Sequence, residues 1–301
     1  MNDQHLIGST PELARVLNAA RMVAPTDATV LILGEIGSGR QTLAREIHRL
    51  STRRLRPLLL VPCATFPGDF FEQAASPAAR DLREAAGGTL YLDEVADLDQ
   101  GAQARLAGYL ETGRVGPLRD EPLSLRVVAG TGADLPELVR RGSFRADLFH
   151  RLAVVPLELP PLRERAADVP LLLKHFAREL AREHGRRPVT FALGALNALK
   201  AYAWPGNLRE LRNLCERLSI LLPGGTIGVD NLPAEVRSPG RTAVPNGFRL
   251  PATGIDLNLL EADVIRQALE LACGNRSRAA RLLGISRDTL LYRIQKHGIA
   301  A

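Results

Sequence analysis

The sequence predicts an α/β fold: a parallel sheet with helices on both faces, then an all-α unit, then a C-terminal three-helix helix-turn-helix. Three observations predict it. From Leu6 to about Leu159, short apolar runs alternate with amphipathic helical stretches. Pro161 to about Val236 has helical periodicity and no strand-like run. Leu257 to Ala301 is helical throughout, punctuated by Gly274, Gly284 and Gly298.

The strand candidates, in order, are TVLIL (Thr29 to Leu33), LLLV (Leu58 to Val61), TLYL (Thr89 to Leu92), LRVVAG (Leu125 to Gly130) and VVPLEL (Val154 to Leu159). Their near-continuous hydrophobicity is that of parallel strands covered on both faces. In the second unit DVPLLLKHFARELAREHG is the clearest amphipathic helix. The text then changes to SPGRTAVPNGFRLPATGID, crowded with Pro, Gly, Ser and Thr and without periodicity, which reads as a linker. The expected organisation is an α/β unit over 1–160, a helical unit over 161–236, a linker over 237–256 and a helix-turn-helix over 257–301.

Composition fits several ordinary domains. The 301 residues are 46% hydrophobic and 24% charged, which excludes disorder as the default. An excess of 39 Lys+Arg over 33 Asp+Glu gives +6, compatible with a nucleic-acid partner but no proof of one. Cys63, Cys215 and Cys273 are far apart and form no C-x-x-C pair, so neither a disulfide framework nor a zinc site is indicated. They are expected to pack as small hydrophobes in a reducing compartment. The start, MNDQHLIGST, has no leader pattern, and no apolar run reaches bilayer length, so the expected location is the cytoplasm, with no membrane partner.

LILGEIGSGRQTLAREIH, Leu31 to His48, places Gly34, Gly37 and Gly39 between a buried strand and an amphipathic helix. Glycines there let backbone N–H groups converge on phosphate oxygens, and the helix adds its positive end. Such a turn alone is more often structural. A second element, GGTLYLDEVADL, ends a hydrophobic strand in two acids; Asp93 is placed to hold Mg²⁺ through water and Glu94 to polarise an attacking water. One acid closing a strand is common, but an Asp-Glu pair directly after four apolar positions much less so. Together the two elements predict a nucleotide fold.

Residues 5 to 236 resemble the AAA+ domain of the bacterial enhancer-binding proteins, the sigma-54-dependent transcriptional activators. The resemblance rests on LIGSTPELARVLNAARMVAPTDATVLILGEIGSG at the opening, GGTLYLDEVADL as the Walker B strand, GSFRADLFHRLAVVPLELPPLRERAADVPLLLKHF as the arginine-finger and hinge region, and WPGNLRELRN as the sensor II helix. It implies an AAA+ P-loop sheet with an all-α lid and ATP/ADP with Mg²⁺ as ligands. Ile7 and Gly8 would lie near the adenine, and Gly34, Gly37, Ser38, Gly39, Arg40 and Gln41 around the phosphates. Arg145 and Arg151 would be fingers reaching a neighbouring subunit's site, and Arg209 the sensor II arginine. Arginines on a loop after the sheet are also ordinary surface charge. A charge shared between subunits implies a ring.

The chain departs from that family at four places. Arg40 stands where the Walker A lysine is expected, and a planar guanidinium is no equivalent of a compact ammonium among phosphates. The sigma-contacting loop with its GAFTGA motif is absent between Cys63 and Gly88, where only 53 positions separate Arg40 from Asp93 and a turn at Ser76 to Ala78 closes the gap. The second family loop is also trimmed, at LETGRVGPLRD. The asparagine expected after the second strand falls on Pro62, which has no side-chain amide. The polar sensor I position falls on Gly132, beside a retained Thr131.

In the C-terminal unit Leu260, Val264, Ala268 and Leu271 recur at helical spacing, the pattern of a helix buried against a partner. NRSRAARLLG and SRDTLLYRIQKHG then form a helix-turn-helix around Gly284, with Ser286 as N-cap and Leu282, Leu283, Ile285, Leu290, Leu291 and Ile294 between the helices. Glu261 to Ala301 holds seven Lys or Arg against four Asp or Glu. Arg287 and Thr289 are placed to read bases, and Asn275, Arg276, Arg278, Arg293 and Lys296 to hold phosphates. The pattern alone equally fits a small helical dimerisation domain with solvated arginines. G-N-R-S-R-A-A-R-L-L-G-I-S-R-D-T-L resembles the Fis-type DNA-binding domain, which implies a dimer on a two-fold DNA site.

The functional expectation is a cytoplasmic DNA-binding transcription regulator with a degenerate AAA+ platform. It binds ATP, hydrolyses it weakly or not at all, and has lost sigma-54 remodelling. It would act as a repressor, as a regulator working with another sigma factor and RNA polymerase holoenzyme, or as a subunit mixed with a related enhancer-binding protein. The sequence begins directly with the AAA+ domain, so its signal is expected to arrive without a receiver or GAF module of its own. The alternative is an active ATPase motor working through another surface.

Overall fold

The computed structural model describes residues 6–65, 84–113, 124–237, 256–272 and 274–299. The shortened connection with its turn at 76–78, most of the second trimmed loop, the linker and Cys273 lie outside the described residues. The chain divides into two compact units, Met1–Arg241 and Thr242–Ala301.

The first unit is built on a five-stranded sheet of order β2-β3-β4-β1-β5, parallel throughout. Its strands are β1 (Val30–Leu33), β2 (Leu58–Pro62), β3 (Thr89–Asp93), β4 (Arg126–Thr131) and β5 (Val155–Glu158). All five predicted runs are strands, shifted by a residue or so at their ends. Successive side chains alternate between faces. Val30, Ile32, Tyr91 and Val128 enter one core with α1 (Pro11–Val23) and α2 (Arg40–Arg49). Leu31, Leu90, Leu92 and Ala129 enter another, under α3 (Gln100–Thr112), α4 (Leu135–Arg140) and α5 (Ala146–Leu152). Polar groups serve the frame as well: Asp99 caps α3 by accepting from the Ala102 N–H at 2.7 Å.

A 3-10 segment, Leu162–Asp168, leads into the helical part, made of α6 (Val169–Glu183), α7 (Leu193–Ala201), α8 (Asn207–Leu221) and α9 (Ala234–Arg237). Its core centres on buried Trp204, whose indole N–H donates to the Leu199 carbonyl at 2.8 Å. The expectation of helices alone is corrected here. Thr190–Phe191 (β6) pairs in parallel with Thr226–Ile227 (β7). Two residues carry no alternation to detect, so only the pairing itself, with the two threonine hydroxyls 3.0 Å apart, reveals them.

The second unit has three helices: α10 (Leu257–Leu271), α11 (Arg276–Leu282) and α12 (Arg287–Lys296). Ile265, Ala268, Leu269, Ala279, Ala280, Leu290 and Ile294 form its core, with Leu283 and Ile285 packed against it. Two expectations are corrected. Leu282 is exposed rather than packed between the helices. On α10 the inward face is Ala262, Ile265, Ala268 and Leu269, whereas Val264 and Leu271 face outward along with Leu257 and Leu259.

Candidate nucleotide site and nucleic-acid interface

The strand ends and the helical part meet around the loop from Gly34 to Gly39. Gly37 has φ 78° and Gly39 φ 107°, left-handed angles that glycine adopts without strain. A Cβ on Gly37 would come within 2.4 Å of the Gly206 carbonyl oxygen, so the approach of α8 also requires glycine. The helical part takes up the loop's carbonyls one after another. The Asn207 amide donates to Ile36 O at 3.1 Å, the Leu208 N–H to Gly37 O at 2.9 Å and the Arg165 guanidinium to Ser38 O at 3.0 Å. Carbonyl and N–H point opposite ways across a trans peptide, so the peptides clamped at Ile36 and Ser38 turn the Gly37 and Gly39 N–H groups away from the clamp, while the Ser38 N–H is taken by the Glu35 carbonyl at 3.1 Å. The first N–H groups of α2, which have no intrahelical acceptor, lie at its end.

The clamp is also ionic. Arg163 pairs with Glu35 at 2.6 Å, and this guanidinium, with help from Asn207, holds the Glu35 carboxyl below its ordinary value. Asp168, fully buried, accepts from the N–H and hydroxyl of both Ser9 and Thr10 at 2.7 to 3.3 Å. Gly8 is required there, since a Cβ would lie 2.4 Å from the Asp168 carboxylate. Burial lowers the pKa of Arg165, and its Nε and Nη1 find no acceptor.

Among the predicted site residues, Ile7, Gly37, Gly39, Arg40, Gln41, Asp93 and Arg209 line one pocket. Gly8 does not; it packs on Asp168. Gly34 and Ser38 shape the loop from behind, with the Ser38 hydroxyl buried and unpartnered. Sequence reasoning missed Leu172, His175 and Phe176 on α6 and Leu208 and Arg212 on α8, which close the same pocket. The signal was the apolar stripe of α6, whose His175 and Phe176 rings meet edge to face at 5.6 Å. Arg145 and Arg151 lie outside the pocket, Arg145 exposed and Arg151 half-buried, paired with Asp147 at 2.8 Å and Glu111 at 3.1 Å.

Arg40 dominates the floor. Its side chain is 7% exposed, and its guanidinium donates to the Gly34 carbonyl at 2.5 Å and forms a charge-assisted bond with Glu94. The same group is 3.7 Å from Asp93. The other Glu94 oxygen accepts from the Gly132 N–H at 3.0 Å and lies 3.3 Å from the Thr131 hydroxyl. Glu94 itself has φ 55°, a left-handed angle that costs a non-glycine residue about 1–3 kcal/mol and clusters at functional sites. Pro62 ends β2 in register with Asp93 and offers this carboxylate pair nothing. Asp93 accepts from the Tyr91 hydroxyl at 2.9 Å, and burial beside that carboxylate raises the tyrosine's pKa. The donor set fits a nucleotide: glycine amides, a helix start, apolar walls on α6 and α8, and Arg209. Asp93, partly exposed on the pocket wall, fits a water-bridged Mg²⁺, though with the Arg40 cation close by.

Three family models match in series: a sigma-54 interaction domain over residues 6–158, an AAA+ ATPase lid domain over 163–246, and the bacterial regulatory protein Fis family over 257–297. The chain belongs to the sigma-54-dependent transcriptional regulators. Within that family it is 39% identical to the transcriptional regulatory protein ZraR of Salmonella typhimurium, over 97% of this chain and 68% of ZraR. It is 36% identical to the transcriptional regulatory protein XylR of Pseudomonas putida, over 96% of this chain and 56% of XylR. The structure of NtrX from Brucella abortus in complex with ADP superposes with a TM-score of 0.70 at 32% identity, covering 98% of this chain and 69% of that one. The fold of this sigma-54-dependent regulator is therefore the AAA+ P-loop fold with a helical lid and a Fis-type helix-turn-helix.

In the second unit Ser286 caps α12, accepting from the Thr289 N–H at 3.1 Å. Its hydroxyl also lies 2.7 Å from that of Thr289, so the proposed base reader is tied to the cap. Asn275 is likewise a cap, accepting from the Arg278 N–H at 3.1 Å. Arg293 and Lys296 reach Glu261 on α10 at 2.5 and 3.5 Å, and His297 joins them at 2.8 Å. Arg276, Arg278 and Arg287 are exposed. No helix among the described residues is long and apolar enough to cross a membrane.

Proposed function

We propose that the protein is a DNA-binding transcription regulator whose AAA+ unit binds ATP or ADP as an assembly ligand and no longer remodels sigma-54 polymerase. The observation that carries this reading is the bond between Arg40 and Glu94. The residue that would hold phosphate and the residue that would activate water neutralise each other. The missing GAFTGA motif removes the arm that would transmit a power stroke, and Pro62 and Gly132 remove two groups that would report the state of the nucleotide. Mg²⁺, where it binds with nucleotide, is held by Asp93 through water.

The DNA site is a two-fold repeat read by the exposed N-terminal turn of α12, with Arg287 as the base reader and Arg276 and Arg278 on phosphates. Exposed Val264 and Leu271 on α10 support a second copy as the partner. The partners follow: double-stranded DNA, this chain or a related enhancer-binding protein in a dimer or ring, and RNA polymerase holoenzyme at the promoter. Survival of Glu94, Arg145, Arg151 and Arg209 supports the rival motor reading.

Open-complex formation by sigma-54 holoenzyme on a promoter carrying the protein's own binding site separates the two. With ATP present, the regulator reading expects DNA occupancy and no open complex. ATP-dependent opening, lost in Glu94→Gln, would establish the motor instead.

A further inference from the structure

Two of the sequence's departures are in contact. A Cβ built on Gly132 would lie 3.0 Å from Arg40 Nη1 and 3.2 Å from the Gly34 carbonyl oxygen that the same guanidinium occupies. Both distances are tighter than ordinary carbon contacts. A side chain at position 132 would therefore require the tip of the Arg40 guanidinium to give by a few tenths of an ångström, and glycine leaves it room to sit where it does. Each change read alone is a loss; together they make room for a new interaction.

That interaction bridges the ends of β1, β3 and β4 through the Gly34 carbonyl, Glu94 and the nearby Asp93. A diphosphate needs the loop amides and the start of α2, which this bridge leaves open. A third phosphate extends beyond the loop toward the strand-end acids, and the metal that accompanies it must approach Asp93. Both meet Arg40. Its cation repels the metal, and its withdrawal to meet the phosphate would strip Glu94 of its charged partner.

We propose that Arg40 and Gly132 form a latch that makes this pocket a nucleoside diphosphate site, closed to the triphosphate while Arg40 remains on Glu94. The proposal rests on the reading of the pocket as a nucleotide site. It changes what nucleotide reports: bound diphosphate is the resting ligand, and triphosphate competes only after the latch opens.

Calorimetric titration of the full chain with ADP and with ATP, each in Mg²⁺, tests it on four proteins: wild type, Arg40→Lys, Gly132→Asn and the double variant, each checked for folding by thermal melting. Wild type is expected to bind ADP about tenfold or more tightly than ATP, the scale of one charge-assisted bond. Arg40→Lys brings the ratio near one. Gly132→Asn lowers it as well, and the two changes together are less than additive because the residues touch. Equal wild-type affinities, or a ratio unmoved by Arg40→Lys, would overturn the latch while leaving a nucleotide site in place. Binding of neither nucleotide would overturn both.

Discussion

Arg40 shows how one residue redirects a site. A lysine presents a compact charge to phosphate, whereas a guanidinium presents a planar fork that carboxylates and carbonyls can hold. Once Glu94 is that partner, neutralising it leaves a mostly buried cation with a poorer acceptor. Glu94→Gln is expected to lower stability by about 2 kcal/mol in urea denaturation, and to leave phosphate release at the wild-type level. Release that falls sharply in this variant would mean that Glu94 is working as a base. Asp168 is the other residue whose loss is local and large, since it gathers four donors from Ser9 and Thr10. Asp168→Ala should cost about 3 kcal/mol and expose the segment ahead of α1 to amide exchange; an unchanged exchange pattern would show that this segment is held by its apolar contacts alone.

Among the elements, α12 is the proposed DNA reader, and α10 holds its last turn through Glu261, which meets Arg293, Lys296 and His297. The Glu261 carboxyl is held below the ordinary glutamate value of 4.5, first by the hydrogen bond with His297 and then by the charges of Arg293 and Lys296. A depressed carboxyl pKa stabilises the fold above the ordinary value, and that contribution disappears as the pH falls through the folded value. Amide exchange in α12 of the full chain should therefore accelerate as pH drops below about 4.5 after correction for intrinsic rates, and Glu261→Gln should flatten that dependence. The same variant releases Arg293 and Lys296, so its DNA affinity should fall more steeply with salt than wild type. Arg287→Ala should instead cost about 1–3 kcal/mol on the specific site alone. Equal losses on specific and random DNA would reassign Arg287 to phosphate.

For the molecule as a whole, legibility follows how many residues a feature spends on its signal. The five parallel strands are legible because strands covered on both faces leave runs of apolar residues. The pair of two-residue strands is not, having no run at all. The inward face of α10 is misread because Leu260, Val264, Ala268 and Leu271 keep helical spacing as well as Ala262, Ile265 and Leu269 do, and small alanines hide the face that is buried. The phosphate loop and the acid pair are legible from spacing. The contact between Arg40 and Gly132 is not, since the two lie far apart in the chain and each appears as a deletion until the fold places one against the other. The walls contributed by α6 and α8 are hidden for a related reason, as apolar and aromatic residues on a core helix look the same whether they meet a ligand or a neighbour.

In the proposed function, nucleotide is held here and not spent. This is tested most directly by following ATP and ADP binding calorimetrically and phosphate release in the same samples of the full chain. The expected result is micromolar binding, at least of ADP, with release no faster than in Glu94→Gln. Steady release well above that variant would contradict it.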